Sequence, residues 1–191
     1  MSRKYYVLLL IALLYATWTY VFKPSPNLAD MPQSTRISEN VQKFGSYTIT
    51  DLEQYAGEFR ILRREEYRSG REAELSPVDF AVGWGKMADP AVYQKLDISQ
   101  SGRWYFWRYA NEPPIPRREI ETHSANMHII PANAYVADQL KKVKKDDLVY
   151  LKGALVEVQA EEGWHWRSSL SREDTGNGAC ELMRVDEVRF L

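Results

Sequence analysis

Residues 148–158 read LVYLKGALVEV, a run of apolar and β-branched side chains with Gly153 near its centre. This composition is typical of a strand, and a glycine inside a strand marks a bulge, a sharp bend or a close approach of two backbones. A charged turn at 144–147 precedes the run, and Glu-Glu-Gly at 161–163 follows it. The stretch therefore predicts a long, bent strand of the kind that small β-barrels contain.

The segments on either side of this strand favour the same architecture. Asp89 followed by Pro90 is a typical helix start, and the apolar spacing of 131–143 is that of a helix face. We predict short helices at 90–96 and 131–143, and further strands at 47–50, 57–67, 103–109, 164–170 and 180–190. The fold class is accordingly mainly β (α+β): a small OB-like or partly closed β-barrel with one or two short helices.

The N-terminus predicts a membrane anchor. Residues 5–22 carry no charge, follow Arg3 and Lys4, and are about as long as the ~20 residues that cross a bilayer. A cleaved signal peptide is the alternative, but aromatic residues occupy the place of its cleavage site. We expect residues 1–4 in the cytoplasm, a signal anchor at 5–22, a proline-containing flexible tether at 23–46 and an extracytoplasmic domain at 47–191.

Composition excludes several classes of protein. The 191 residues include 25 Lys and Arg against 26 Asp and Glu, and this net charge of -1 argues against a globally basic nucleic-acid binder. One cysteine forms no internal disulfide and no multi-cysteine zinc site. A content of 45% hydrophobic residues is enough for a folded core, so the chain is not a disordered one.

Aromatic residues are concentrated at 103–109 (RWYFWRY) and 164–166 (WHW). Side chains alternate along a strand, so Trp104 and Phe106 face away from Tyr105, Trp107 and Tyr109, and one of the two sets lies outside a single-layer core. The alternative is that all these rings are packed within the fold. We predict a binding surface formed by Trp104, Trp107, Arg108, Tyr109, Trp164 and Trp166.

Cys180 is the strongest catalytic candidate. The order of anchor, β-rich domain, His123, a lysine-rich turn, Cys180 and then Arg184 or Arg189 is similar to that of sortase-like cysteine transpeptidases. Gly-Ala precedes Cys180 where a sortase strand ends in Thr, and a single cysteine is more often a small buried hydrophobe. Cys180, His123 and Arg184 or Arg189 therefore form an alternative enzymatic site.

Other candidate sites lack necessary partners. His123 and His128 are five residues apart, a spacing that fits neither a helix face nor one side of a strand, and a metal site would need His165 or Glu121 as well. Ser124 has no nucleophile-elbow glycines. The Asp174-Thr175-Gly176 tripeptide has no second aspartate to complete a protease dyad. The sequence predicts no metal and no cofactor.

Segments 78–85, 100–109, 123–132 and 163–181 resemble an uncharacterised family of bacterial membrane-anchored proteins. The resemblance implies a single-pass protein of the bacterial inner membrane with its C-terminal domain in the envelope, and it implies no activity. We therefore predict a non-catalytic binding or assembly module whose partner is an envelope protein, peptide or glycan. An OB-type binder of single-stranded nucleic acid is a further alternative if the domain is cytoplasmic.

Overall fold

The structure is mainly β, with few helices. The computed structural model describes residues 3–21, 31–38, 40–171, 173–174 and 179–191. The strands are β1 (Gln33–Arg36), β2 (Val41–Phe44), β3 (Tyr47–Glu66), β4 (Val78–Gly83), β5 (Asp97–Ser101), β6 (Trp104–Arg108), β7 (Ser124–Pro131), β8 (Leu148–Ala160), β9 (His165–Arg167) and β10 (Glu181–Phe190).

The helices are short apart from the first. They are α1 (Arg3–Val21), α2 (Arg71–Leu75), α3 (Pro90–Tyr93), α4 (Arg117–Thr122) and α5 (Ala134–Leu140). Asp89 caps α3 by accepting a hydrogen bond from the Ala91 amide at 2.8 Å, as its position before Pro90 predicts. Helix α5 begins three residues later than predicted because Pro131 is the last residue of β7; Asn133 provides its cap.

Five strands form a closed ring through their pairings, which we call the strand ring. Its order is β3, β4, β7, β10 and β8, and β8 pairs again with β3. All neighbours are antiparallel except β7 and β10, which are parallel and are connected through α5 and β8. The prediction of a mainly β domain with a partly closed sheet is confirmed at this level.

The predicted division of this region into two strands at 47–50 and 57–67 is wrong. Strand β3 is continuous from Tyr47 to Glu66, pairing with β8 along its first part and with β4 along its last part. Irregularities in register between Asp51 and Glu53, and between Ile61 and Arg63, divide it instead. A bulge bends a strand without ending it. The interruption of the strand pattern between residues 50 and 57 therefore corresponds to a bend within β3, not to a loop between two strands.

Gly153 lies where three strands meet, opposite Val185 of β10 and Tyr55 of β3. A Cβ atom there would lie 1.8 Å from the Arg184 carbonyl oxygen. The predicted close approach of backbones is therefore present, and only a residue without a side chain fits.

Three apolar clusters hold the domain together. The largest fills the strand ring and includes Phe59, Phe80 and Met127, with Leu140 of α5 in the same cluster. A second cluster lies under Trp164 and Trp166, and a third joins the β5–β6 hairpin to the outside of the ring. Side chains alternate along β4, so Phe80 enters the ring while its neighbour Asp79 points away from it.

The N-terminal region differs from the prediction in part. Residues 33–36 and 41–44 pair with β3 as β1 and β2, so this half of the predicted tether is ordered by an available strand edge. Residues 22–30 lie outside the described residues. Helix α1 covers most of the predicted anchor, yet over the described part of the chain no helix combines the length and apolar character required to cross a membrane. The predicted span at 5–22 gains no support from this finding.

We expect Gly153→Ala to destabilise the domain by more than about 3 kcal/mol, because the new methyl group would overlap backbone on β10. Urea unfolding followed by circular dichroism measures this. Gly163→Ala is the matched control: its φ of 84° adds backbone strain of about 1 kcal/mol, but no atom lies within 4 Å of the added methyl group. Equal losses in the two variants would contradict the close-approach role of Gly153.

Candidate functional site

Three buried polar residues alternate along β7 and form a polar row. Ser124, Asn126 and His128 occupy every second position, so their side chains share one face of the strand. The β4–β7 register places Asp79 directly opposite His128, on the same face. A short segment of sheet therefore carries a buried carboxylate, an imidazole, an amide and a hydroxyl next to one another.

Asp79 is the centre of the charged part of this face. Its side chain has no exposed area, and its two oxygens contact different cations. Oδ1 lies 2.6 Å from a terminal guanidinium nitrogen of Arg103, and Oδ2 lies 3.0 Å from Nδ1 of His128. Among the described residues neither Oδ2 nor Nδ1 makes a hydrogen bond of regular geometry, so the contact between them is mainly Coulombic.

Arg103 reaches Asp79 from the turn between β5 and β6. Gly102 and Arg103 both have positive φ, 59° and 71°, as a two-residue turn matched to the twist of a hairpin requires. Arginine rarely adopts this conformation. Its guanidinium nevertheless stacks on Tyr67 at 3.7 Å and donates to the Ser76 carbonyl at 2.9 Å. These contacts and the ion pair offset the backbone strain and fix the hairpin over the sheet.

Cys180 lies beside the polar row. Leu182 of β10 pairs with His128, so Cys180, two residues earlier, comes level with Asn126. The Asn126 amide nitrogen is 3.9 Å from the Cys180 sulfur, and the register places Cys180 diagonally next to His128 on the same face of the sheet. Asn126 also donates to the Arg103 carbonyl at 3.0 Å and accepts from Gln100 at 2.7 Å, which holds its amide in place.

The pKa of His128 reflects this arrangement. Burial of the ring disfavours the charged form, but contacts with Asp79 and Cys180 outweigh it and raise the pKa from 6.5 to about 9. The other groups that face His128 are the ring of Trp166, 4.8 Å away, and Arg103 on the far side of Asp79. The site therefore holds an imidazolium at neutral pH.

A cavity of about 670 Å³ opens beside Cys180. The β5–β6 hairpin and the segment after it supply most of its aromatic lining, and β7 with the start of β10 supplies the polar side. Trp84 lines it as well and is 1% exposed, and its Nε1 has no hydrogen-bond partner in the described part of the chain. The polar lining residues are Arg108, Arg117, Glu121, Ser124, Asn126, Ser171, Asp174, Cys180 and Glu181.

The predicted aromatic surface is divided by the structure. Trp104, Trp107, Arg108 and Tyr109 line the cavity together. The predicted alternation is present, with Trp104 and Phe106 exposed and Tyr105 and Trp107 packed on the third apolar cluster.

Trp164 and Trp166 are not part of the cavity lining. They pack half-buried against the second apolar cluster, and Trp164 contacts Tyr47 and Arg71. Their aromatic composition alone groups these two residues with the strand at 103–109. The fold instead places them on β9 and the turn before it, over a different part of the sheet.

The predicted partners of Cys180 require correction. His123 ends α4, and its Nδ1 lies 3.0 Å from the Glu119 carbonyl oxygen, whereas the imidazole in contact with Cys180 is that of His128. Arg184 is paired with Asp51 and Asp186, so its guanidinium has a structural role. Arg189 lies over the Tyr150 ring at 4.1 Å. The sequence order of a sortase does not produce a sortase-like group of side chains here.

Sequence reasoning missed Asp79 and misread His128. The available signals were an aspartate inside the apolar run VDFAVG and the alternation of polar residues in SANMHII. The period of two in the second segment is that of a strand face, and it is the signal that groups Ser124, Asn126 and His128. Within the described ranges, no group of three or more His, Cys, Asp and Glu side chains could hold a metal ion.

Comparison with known proteins adds no further assignment, because the chain matches no protein-family profile, no curated protein and no solved structure.

His128 should make the stability of the domain depend on pH. Its pKa is raised in the folded state, so its contribution is complete below pH ~6.5 and is lost as the pH rises through about 9. Over that interval we expect the free energy of unfolding of the wild type to fall by about 3 kcal/mol relative to His128→Gln. Urea unfolding at a series of pH values measures the difference. His165→Gln, at an exposed histidine on β9, is the control and should follow the wild type. Identical pH profiles for the wild type and His128→Gln would refute the ion pair.

Proposed function

We propose that the domain is a binding module whose ligand occupies the aromatic cavity. The observation that carries this proposal is the cavity itself: about 670 Å³, lined by rings of β6 and by polar side chains on the opposite wall. Trp104 and Phe106 are 39% and 46% exposed although each is a large apolar side chain. Exposed aromatic rings grouped around a cavity are typical of ligand-binding sites.

The chemistry of the lining favours a glycan. Aromatic rings bind the apolar faces of sugars, and charged or amide side chains bind their hydroxyl groups. Arg108 and Arg117 are matched by Glu121 and Asp174 in the same lining, and Arg117 is bound to Glu121 at 2.9 Å. A cavity of mixed charge does not select a polyphosphate backbone, whereas it suits a neutral ligand with many hydroxyl groups.

An OB-like fold is consistent with this proposal. The strands follow one another around the ring as β3, β4, β7, β10 and β8, and α5 lies between β7 and β8 in the chain. This arrangement is similar to that of a five-stranded barrel of the OB type. OB folds bind oligonucleotides and oligosaccharides on the face of their second and third strands. The corresponding strands here are β4 and β7, which carry Asp79 and the polar row.

We further propose that the protein belongs to the bacterial envelope and that α1 holds it at the inner membrane, with the domain outside. Side chains of α1 from Val7 to Leu14 include seven large apolar residues that are more than half exposed, and such a surface requires a cover. Arg3 and Lys4 precede this apolar segment, which favours a cytoplasmic N-terminus. The resemblance to membrane-anchored bacterial proteins supports the same location.

A soluble oligosaccharide should bind the cavity. We expect chitotetraose to change the tryptophan fluorescence of the full chain, and Trp104→Ala to weaken its binding, measured by titration calorimetry, by at least about tenfold. Tyr135→Ala is the matched control, because Tyr135 is an exposed aromatic residue (73%) on α5 and does not line the cavity.

Two competing ligands decide the alternatives. A single-stranded oligothymidylate and an unstructured peptide are titrated under the same conditions as chitotetraose. Cellotetraose is titrated as a second saccharide. Binding of the oligonucleotide without either saccharide would favour an OB-type nucleic-acid binder. Binding of the peptide alone would favour a peptide-binding module. In both cases the glycan proposal would be wrong.

The membrane proposal has a separate test. We expect alkaline phosphatase fused after Leu191 to be active in bacterial cells and to sediment with the membrane fraction, because this enzyme folds only in an oxidising compartment. Deletion of residues 1–22 should release the fusion from the membrane and abolish its activity. Activity of a cytoplasmic reporter fused at the same position would place the domain on the other side.

A further inference from the structure

We propose that Cys180, His128 and Asp79 form a nucleophilic site beside the aromatic cavity, at which Cys180 accepts an acyl group from an ester or thioester. This activity goes beyond ligand binding. It depends on the proposed function only in that the cavity gives substrates access to Cys180.

The three residues are neighbours on one face of the sheet, with His128 between Cys180 and Asp79. Asp79 lies 3.0 Å from Nδ1 of His128 and stabilises the imidazolium, which can pair with a Cys180 thiolate. Arg103 holds the second oxygen of Asp79 and so keeps the carboxylate in place. Cys180 is only half-buried and lines the cavity, while His128 and Asp79 are shielded from solvent. Nucleophile, base and orienting acid thus come from three segments that the fold brings together.

Two further groups point to a ligand at this position. The Asn126 amide nitrogen lies 3.9 Å from the Cys180 sulfur and is held by its bond to the Arg103 carbonyl, so it is placed to donate to an oxyanion that forms on a carbonyl attacked by the sulfur. Trp84 is buried in the cavity wall, and its Nε1 donor has no partner among the described residues. A buried donor without a partner costs free energy that a ligand acceptor would recover.

The acyl transfer is balanced without any additional oxidant or reductant. In the reactive form the proton lies on His128, and the Cys180 thiolate paired with this imidazolium attacks the acyl carbon to form a carbon–sulfur bond. The carbon–oxygen or carbon–sulfur bond to the leaving group breaks, and His128 returns its proton to that group. Water or an amine then attacks the thioester and gives its proton to His128. The carbon–sulfur bond breaks, and the Cys180 thiolate is regenerated beside the His128 imidazolium.

The single cysteine makes the test direct, because any acyl thioester on the chain must be at Cys180. The full chain is treated with p-nitrophenyl acetate at pH 7, and release of nitrophenolate and the intact mass are followed together. We expect a stoichiometric acetyl adduct that forms at least about tenfold faster than on the same chain unfolded in urea. His128→Gln should slow its formation by about a hundredfold, and Cys180→Ala should abolish it. His165→Gln should react like the wild type.

Several outcomes overturn the proposal. These are a folded chain that reacts no faster than the unfolded chain, a His128→Gln variant of unchanged rate, and an adduct that persists in Cys180→Ala. The comparison of folded with unfolded wild type needs no variant, so it holds even if a substitution prevents folding. Chitotetraose binding by Cys180→Ala separates the two proposals. If chitotetraose binds but the wild type is not acylated, only the acyl-transfer proposal is wrong. If the wild type is acylated but chitotetraose does not bind, only the glycan proposal is wrong.

Discussion

The buried carboxylate of Asp79 is the constraint on which the site and its covering hairpin depend. An isolated carboxylate with no exposed area would be strongly destabilising, so the fold must supply cations around it. Arg103 and His128 contact its two oxygens from different parts of the chain. Removal of either cation would leave a buried charge without full compensation. The positions of the hairpin turn and of the polar row are therefore linked through a single side chain.

This linkage gives the cavity its shape. The β5–β6 hairpin packs on the outside of the strand ring through the third apolar cluster, and Arg103 fixes its turn by the contact with Asp79. The rings of β6 then form a wall opposite Asn126 and Cys180. The same ion pair thus positions both the polar row and the aromatic wall of the cavity. A hairpin bound by apolar contacts alone would have less fixed orientation, since apolar packing is not directional.

Much of the fold was predictable because its signals are local. The cap at Asp89, the alternation in 103–109 and the glycine at 153 each act within a few residues or exclude any side chain. The prediction failed where the outcome depended on distant partners. Strand β3 continues through the predicted break because β8 and β4 pair with it, and residues 33–36 and 41–44 are ordered because β3 offers an edge.

The sequence by itself determined the strand-rich composition, the helix start at Asp89, the aromatic strand at 103–109 and the presence of a single thiol at Cys180. It did not determine which histidine belongs to Cys180, because His123 and His128 are both distant from it in the chain and only the β7–β10 register distinguishes them. It also did not reveal Asp79, whose role exists only because the β4–β7 register places it opposite His128. Such contacts between strands are decided by the closure of the whole sheet. A shift of one residue would turn the polar row to the opposite face.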